Sequence, residues 1–169
     1  MDIVNTFIER HEQKVIEMFK KQRGIKPFVT FLCKQETDKV GEVMVLDIPE
    51  QLIFDKGKDF VRGVMIESIK KKLREENKNL VCVNWNSEGW MYKGSKEDHL
   101  RVNGDYRKLP KTEVLFMTFD SSEGTRTITY EIKRDLFVNE KGLNEEVEVE
   151  LMKFGDDVEL GGRFSKLFD

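Results

Sequence analysis

Hydrophobic and polar positions recur along this chain with two periods, which divide it into helical and extended segments. Apolar residues within 2–23 return every three or four positions, which predicts an amphipathic helix that begins at Asp2 and is stopped by Gly24. A second stripe of the same kind predicts a helix over residues 55–77. The apolar positions of the two stripes are Ile3, Phe7, Ile8, Val15, Ile16 and Phe19, then Phe60, Val61, Val64, Met65, Ile69 and Leu73. Each helix is therefore expected to bury one face.

Runs of β-branched and aromatic residues between these stripes predict strands. The predicted strands are residues 28–34, 40–48, 80–85, 113–119, 125–134 and 146–152. The first two are apolar on both faces, which is typical of strands covered on both sides. In the fifth strand, Thr127, Thr129 and Glu131 share one side, and we expect that side to face water near a sheet edge.

The order of these elements selects the fold class. An α-β-β-α-β-β-β-β order does not fit a doubly wound parallel sheet. We predict a single α+β domain over residues 1–169, with a mostly antiparallel sheet of five to seven strands packed against two helices. Both helices are expected to cover one face of the sheet, and the C-terminal segment 140–169 to cover part of the other.

Charge argues against some classes of partner. The net charge is −3, with 36% charged residues, whereas domains that coat nucleic acids usually carry a basic excess. Residues 140–169 hold nine acidic and four basic side chains. The second helix ends in a basic run that either complements the helix dipole from solvent or contacts phosphates. The candidate phosphate contacts are Lys70, Lys71, Lys72 and Arg74. Nucleic acid is the less favoured partner.

The cysteines and the N-terminus indicate the compartment. Cys33 and Cys82 both lie in apolar strand-like runs, which predicts buried free thiols. The N-terminus is charged from Asp2 onward and does not resemble a signal peptide, and the sequence has no apolar run of membrane-spanning length. These features predict a reducing cytoplasm, or a particle assembled in one, and no membrane.

Motifs for metal, phosphate or nucleophilic chemistry are missing from the sequence. It contains no H-E-x-x-H, C-x-x-C, G-x-S-x-G or P-loop pattern. Glu97, Asp98 and His99 are adjacent and could hold a weakly bound ion, but such a run more often faces solvent. We therefore predict no catalytic residue, metal or cofactor.

The densest group of aromatic and charged residues surrounds the two tryptophans. Its members are Asn84, Trp85, Glu88, Trp90, Tyr92, Arg107 and Glu113. One interpretation is a pocket for a small molecule or an enzymatic substrate, in which burial would raise the pKa of a carboxyl group. The other is structural, with Glu88 and Arg107 tying a loop together while Trp85 and Trp90 cover the sheet.

The end of the chain is unusually apolar. After Gly161 and Gly162 come four residues typical of a docking tail, which are Arg163, Phe164, Leu167 and Phe168. The tail is expected to dock on its own domain or on a neighbouring one.

The chain contains two short motifs, which are Ser87-Glu88-Gly89-Trp90-Met91, followed by a polar loop and residues 107–119, and Gly162-Arg163-Phe164-Ser165. These motifs resemble those of small proteins of tailed bacteriophages and bacteria that have no assigned activity. This chain departs from the pattern at Gly89, where those proteins have alanine, and residues 108–112 lengthen the approach to Glu113. The resemblance implies phage-like ancestry and assigns no catalytic residue.

Together these features predict a non-enzymatic interaction protein, with a phage accessory or virion component as the expected setting. It would associate with a protein partner or with itself, in the bacterial host cytoplasm or in the virion. The alternatives are a small-molecule binder or enzyme at the tryptophan cluster, and nucleic-acid binding through residues 70–74.

Overall fold

A computed structural model describes residues 2–35, 40–48, 50–56, 58–103, 105–138, 140–142 and 144–156. The elements are, in order, α1 (Ile3–Gln22), β1 (Phe28–Gln35), β2 (Val40–Asp47), α2 (Glu50–Lys56), α3 (Lys58–Glu75), β3 (Lys78–Tyr92), α4 (Lys96–Arg101), a 3-10 helix (Tyr106–Lys108), β4 (Lys111–Ser121), β5 (Gly124–Val138) and β6 (Asn144–Asp156). None of the helices in these ranges has the length and apolar character needed to span a membrane.

The strands form one sheet in the order β2-β1-β3-β4-β5-β6, and every neighbouring pair is antiparallel. The predicted α+β class and antiparallel sheet of five to seven strands are thereby confirmed. Strand β1 is buried from Phe28 to Cys33 without alternation, as its sequence predicted. A strand of this kind needs cover on both faces.

The two long helices supply that cover from opposite sides, so the prediction that both lie on one face is wrong. Phe7, Val15 and Phe19 of α1 pack with Leu115 and Ile128 on one face of the sheet. The other face carries a second core, in which α3 meets β1 and β3. Its buried members are Val29, Phe31, Cys33, Ile48, Val61, Ile69, Leu73 and Val83. A strand apolar on both sides buries more surface when each face meets a helix.

The ends of α1 differ from the prediction in one respect. Asp2 caps the helix as expected, with its Oδ1 atom 2.9 Å from the backbone N of Val4. The left-handed residue at the other end is Arg23, with φ of 57°, and not Gly24. Gly24 instead lies close to Glu88, because a Cβ there would be 2.9 Å from Glu88 Oε1 and the carboxylate would have to shift to admit it.

The predicted helix at 55–77 is replaced by α2 and α3. The residues of α3 that face the sheet recur every fourth position, from Val61 to Leu73. Phe60 and Val64 were predicted to belong to the same buried stripe, but they are 54% and 50% exposed. The apolar stripe is wider than the surface that the sheet can cover.

Strand β3 is much longer than the predicted residues 80–85. It continues to Tyr92 and pairs with β4 in an unbroken register from Cys82 to Tyr92. The segment after Met91, which the sequence analysis described as a loop, contains α4, whose first turn is stabilised by a capping box between Ser95 and Asp98. The Ser95-x-x-Asp98 pattern is the signal that could have identified this helix.

The threonine side of β5 does not face water as predicted. Thr127 and Thr129 are 1% and 6% exposed. Strand β5 does lie near a sheet edge as predicted, because its neighbour β6 is the edge strand. The hydroxyl of Thr127 lies 3.5 Å from that of Thr118 on β4. The pairing of β4 with β5 therefore gives the Thr127 hydroxyl a hydrogen-bonding partner in place of water.

Candidate functional site

The structure does not bring the seven predicted site residues into one pocket. Successive side chains of a strand point to opposite faces. Asn84, Glu88 and Trp90 therefore lie on the face covered by α1, whereas Trp85 packs into the core under α3. The two indoles cannot enclose a common ligand, because the sheet separates them.

The arginine that meets Glu88 is Arg134, and not Arg107 as the structural interpretation predicted. The side chain of Arg107 is 79% exposed and lies 3.9 Å from Asp105. Arg134 comes from β5, which the sequence analysis did not connect with the tryptophan region. Its side chain is 20% exposed.

Arg134, Glu88 and Glu113 form a compact group that we name the Arg134 cluster. The guanidinium donates from Nε to Glu113 Oε2 over 2.9 Å and from Nη2 to Glu113 Oε1 over 3.0 Å, which is a bidentate pair. Its Nη2 also lies 3.3 Å from Glu88 Oε2. Two carboxylates on β3 and β4 therefore share one cation from β5.

The Arg134 cluster also holds the end of α1. Arg134 Nη1 donates to the backbone carbonyl of Arg23 over 2.6 Å, and Glu88 Oε1 accepts a hydrogen bond from the backbone N–H of Ile25. The guanidinium lies 5.6 Å from the centre of the Phe19 ring. These contacts satisfy backbone groups at a helix C-terminus and fix α1 to three strands. Every group of the cluster has a structural partner.

A second polar contact holds the middle of α1. The Tyr130 hydroxyl donates to Glu12 Oε1 over 2.6 Å, and Lys153 Nζ lies 3.0 Å from the same oxygen. Glu12 thereby joins α1 to β5 and β6.

Next to Glu12 on α1 lies a buried polar group that the sequence analysis missed. His11 is 8% exposed, and its Nε2 atom is 3.3 Å from Asn86 Nδ2. Asn86 donates to Asn84 Oδ1, and Asn84 donates to the Thr118 carbonyl over 3.3 Å. The sequence signal was present, because His11 occupies the position four residues from both Phe7 and Val15 on the buried stripe of α1.

His11 makes stability depend on pH. Burial lowers the pKa of its imidazole to about 4 from 6.5, with smaller contributions from Lys14 and Arg10, while the Asn84 side chain opposes the shift. The unfolded chain therefore takes up a proton between pH 6.5 and about 4 that the folded chain does not, so stability falls as the pH falls through this window. We expect the His11 contribution to the loss to be on the order of 3 kcal/mol.

Urea unfolding at several pH values would measure this loss, with a His11→Gln variant as the control. The variant should be less stable at neutral pH and should show a shallower pH dependence between pH 6.5 and 4. An equally steep dependence in the variant would show that His11 is not the responsible group.

The exposed end of the site is a surface centred on Trp90, and we name Trp90, Tyr92 and Lys111 the Trp90 surface. The indole is 54% exposed, and Lys111 Nζ lies 4.3 Å from its centre. Tyr92 is paired in register with Lys111 across β3 and β4. A Cβ at Gly89 would lie 3.4 Å from the Phe116 ring, so the structure has room for an alanine at this position.

The basic run on α3 is partly compensated by acidic residues of the same segment. Lys71 lies 4.0 Å from Glu75, and Lys72 lies 3.9 Å from Glu76. Arg74 is exposed and Lys70 is half-buried. This geometry is typical of a solvated helix end, although it does not test binding to phosphates.

The candidate docking tail, with Arg163, Phe164, Leu167 and Phe168, lies outside the described residues.

The structure offers little support for metal or thiol chemistry. Among the residues that it describes, no three histidine, cysteine or acidic side chains are grouped so that they could hold a metal. Asp98 caps α4 instead. Cys33 and Cys82 are buried free thiols, as predicted, and burial raises the pKa of Cys82 to about 12. The thiol of Cys82 therefore stays protonated at neutral pH.

Comparisons with known proteins leave the site to be interpreted from its own geometry. No family model matches the chain, and neither a curated protein nor a solved structure matches it.

Proposed function

We propose that this chain is a non-enzymatic interaction protein that associates with a second copy of itself through the Trp90 surface. The observation that carries the proposal is the half-exposed indole of Trp90 on a central strand of the six-stranded sheet. Tryptophan, tyrosine and arginine dominate the binding energy of protein interfaces, whereas large apolar side chains are costly to leave in water. The Arg134 cluster supports the strands that present Trp90.

Charge complementarity favours a second copy as the partner. The connection from β3 to β4, residues 93–111, carries six basic and three acidic side chains. Strand β6 carries five acidic side chains and one basic one. This connection and strand β6 begin at the same end of the sheet, and strands β4 and β5 separate β3 from β6. A twofold contact requires a surface complementary to itself, and a patch with one basic and one acidic side meets that requirement.

The resemblance of residues 87–91 and 162–165 to phage proteins supports a setting for this role. A phage accessory or virion component that acts in the host cytoplasm is the setting we propose.

Light scattering over a range of protein concentrations tests the proposal. We expect the wild-type chain to dimerise reversibly, more weakly at high salt, because exposed charges are screened. Trp90→Ser should raise the dimer Kd about tenfold or more, which corresponds to about 1.4 kcal/mol. Phe60→Ser is the matched control, since Phe60 is an aromatic residue with the same exposure of 54% but lies on α3, which packs on the other face of the sheet.

The control should dimerise like the wild type. A chain that stays monomeric at millimolar concentration, or a Trp90→Ser variant that dimerises as strongly as Phe60→Ser, would contradict the proposal.

A further inference from the structure

Two polar atoms buried under α1 have no hydrogen-bonding partner among the residues that the structure describes. They are Oγ1 of Thr30 on β1 and Oδ1 of Asn86 on β3, and both residues are 0% exposed. An unpaired polar atom in a protein interior costs free energy comparable to a lost hydrogen bond, so native structures satisfy nearly all such atoms. These two atoms therefore require a partner that the described residues do not supply.

The register of the strands places both residues on the face of the sheet that α1 covers. Thr30 stands two residues from Phe28 and from Leu32, and both of these belong to the core under α1. Thr30 is paired with Asn84, and Asn86 lies two residues further along β3 on the same face. Thr30 and Asn86 are therefore diagonal neighbours across β1 and β3.

The ring of His11 lies over this part of the sheet. Its Nε2 atom is 3.3 Å from Asn86 Nδ2, and the centre of the ring lies 6.3 Å from that of Phe28 and 5.9 Å from that of Phe119. Phe28 is paired with Asn86, and Phe119 is paired with Asn84. The polar atoms are therefore enclosed by aromatic rings above two paired strands.

Rotation of the asparagine amides does not supply the missing partner. Asn84 Nδ2 donates to the Thr118 carbonyl over 3.3 Å, and Asn84 Oδ1 accepts a hydrogen bond from Asn86. A carbonyl oxygen only accepts, so a rotated Asn86 amide would set its oxygen against Asn84 Oδ1. If Asn84 were rotated as well, its oxygen would meet the Thr118 carbonyl. The Thr118 carbonyl therefore fixes both amides, and Asn86 Oδ1 is left without a donor from this chain of hydrogen bonds.

The spacing of the two atoms suits one bridging water molecule. Diagonal neighbours in an antiparallel pair are about 7–8 Å apart, and side-chain atoms shorten this gap. An O–H···O hydrogen bond is about 2.7–2.8 Å long, so one water can join two oxygens up to about 5.5 Å apart. Thr30 also has the smallest side chain in its row, between Phe28 and Leu32, which leaves more room under His11 than either neighbour would.

We propose that one water molecule is bound in the core at this place, where it joins Thr30 Oγ1 to Asn86 Oδ1 beneath His11. The water donates a hydrogen to Asn86 Oδ1, and it forms a second hydrogen bond with the Thr30 hydroxyl, which can donate or accept. Buried waters typically make two to four hydrogen bonds to polar groups that are otherwise unsatisfied. The bound water thus connects β1 to the asparagines of β3. The site is independent of self-association, because it lies in the core and contains no residue of the Trp90 surface.

A high-resolution crystal structure of the wild-type chain tests the proposal directly. We expect density for one water oxygen within hydrogen-bonding distance, about 2.7–3.2 Å, of both Thr30 Oγ1 and Asn86 Oδ1. Thr30→Val keeps the shape of the side chain and should lose this density. Thr127→Val is the matched control, because Thr127 is also buried but its hydroxyl lies 3.5 Å from that of Thr118. The density at the site should remain in this control.

Two measurements in solution do not depend on crystals. The relaxation of water oxygen-17 over a range of magnetic fields detects long-lived internal waters, and Thr30→Val should hold one fewer than the wild type and Thr127→Val. In urea unfolding, Thr30→Val should raise the unfolding equilibrium constant several-fold, because Asn86 Oδ1 loses its partner. If the Thr30 hydroxyl were unpaired, its replacement by a methyl group would lower that constant instead.

The possible outcomes are distinct. Water density that touches both atoms in the wild type and disappears only in Thr30→Val would support the proposal, as would the loss of one long-lived water in that variant. Wild-type density that shows no water between the two atoms, an equal number of long-lived waters in Thr30→Val, or a more stable Thr30→Val variant would each overturn it.

Discussion

Replacement of Arg134 by alanine is expected to lower the free energy of unfolding by about 2–4 kcal/mol. The substitution removes the guanidinium that pairs with Glu113 through two hydrogen bonds, and it leaves Glu88 and Glu113 close together. It also removes the donor to the Arg23 carbonyl. The effect is smaller than for a fully buried pair, because the side chains of the cluster are 20–25% exposed.

Urea unfolding of Arg134→Ala and Arg107→Ala compares the arginine that the structure selects with the one that the sequence suggested. Arg107→Ala should change stability by less than about 0.5 kcal/mol, because Arg107 is on the surface. Adding Glu88→Gln and Glu113→Gln to Arg134→Ala should recover part of the loss, since the unpaired charges are then removed. Equal effects of the two arginine substitutions would contradict the role of the Arg134 cluster.

Replacement of Phe19 by alanine is expected to cost about 3–5 kcal/mol, the range for large aromatic residues in a core. Phe19 is completely buried between α1 and the sheet. Phe60 is the matched control, because it is a helical phenylalanine that the sequence placed in the same kind of stripe but that is 54% exposed. Phe60→Ala should cost less than about 1 kcal/mol.

Thermal or urea unfolding of the two variants measures the difference. Similar losses in both would mean that α3 buries its outer residues and that the core under α3 is larger than the structure shows.

The sequence predicted the class of the fold because the hydrophobic periods of α1 and of most strands are regular. Even the cover on both faces was indicated, since β1 is apolar on both sides and one layer of helices cannot bury both. The prediction assigned the second face in part to the C-terminal segment 140–169, whereas residues 144–156 form the edge strand β6 and α3 covers that face. The exposure of Phe60 and Val64 could not be predicted. Periodicity shows how wide the apolar stripe of a helix is, but it does not show how much of that stripe the sheet covers.

The candidate site was harder to predict than the fold. Asn84, Asn86 and Glu88 interrupt the apolar character of β3, and polar residues at alternate positions normally face solvent. Here they lie under α1, where His11, Ile25 and Arg134 supply hydrogen-bonding partners. The partner of Glu88 is 46 residues away in the sequence. Distance along the sequence favoured Arg107 as the partner of Glu88, whereas the pairing of the strands brings Arg134 to it.

The most direct test of the Trp90 surface is the fluorescence of single-tryptophan variants at increasing protein concentration. Trp85→Phe leaves Trp90 as the only indole, and Trp90→Phe leaves Trp85. Acrylamide should quench Trp90 several-fold more than Trp85 in dilute protein, and this quenching should fall as the chains associate, whereas that of Trp85 should stay constant. Equal shielding of both indoles in dilute protein, or quenching of Trp90 that does not change with concentration, would contradict a contact surface at Trp90.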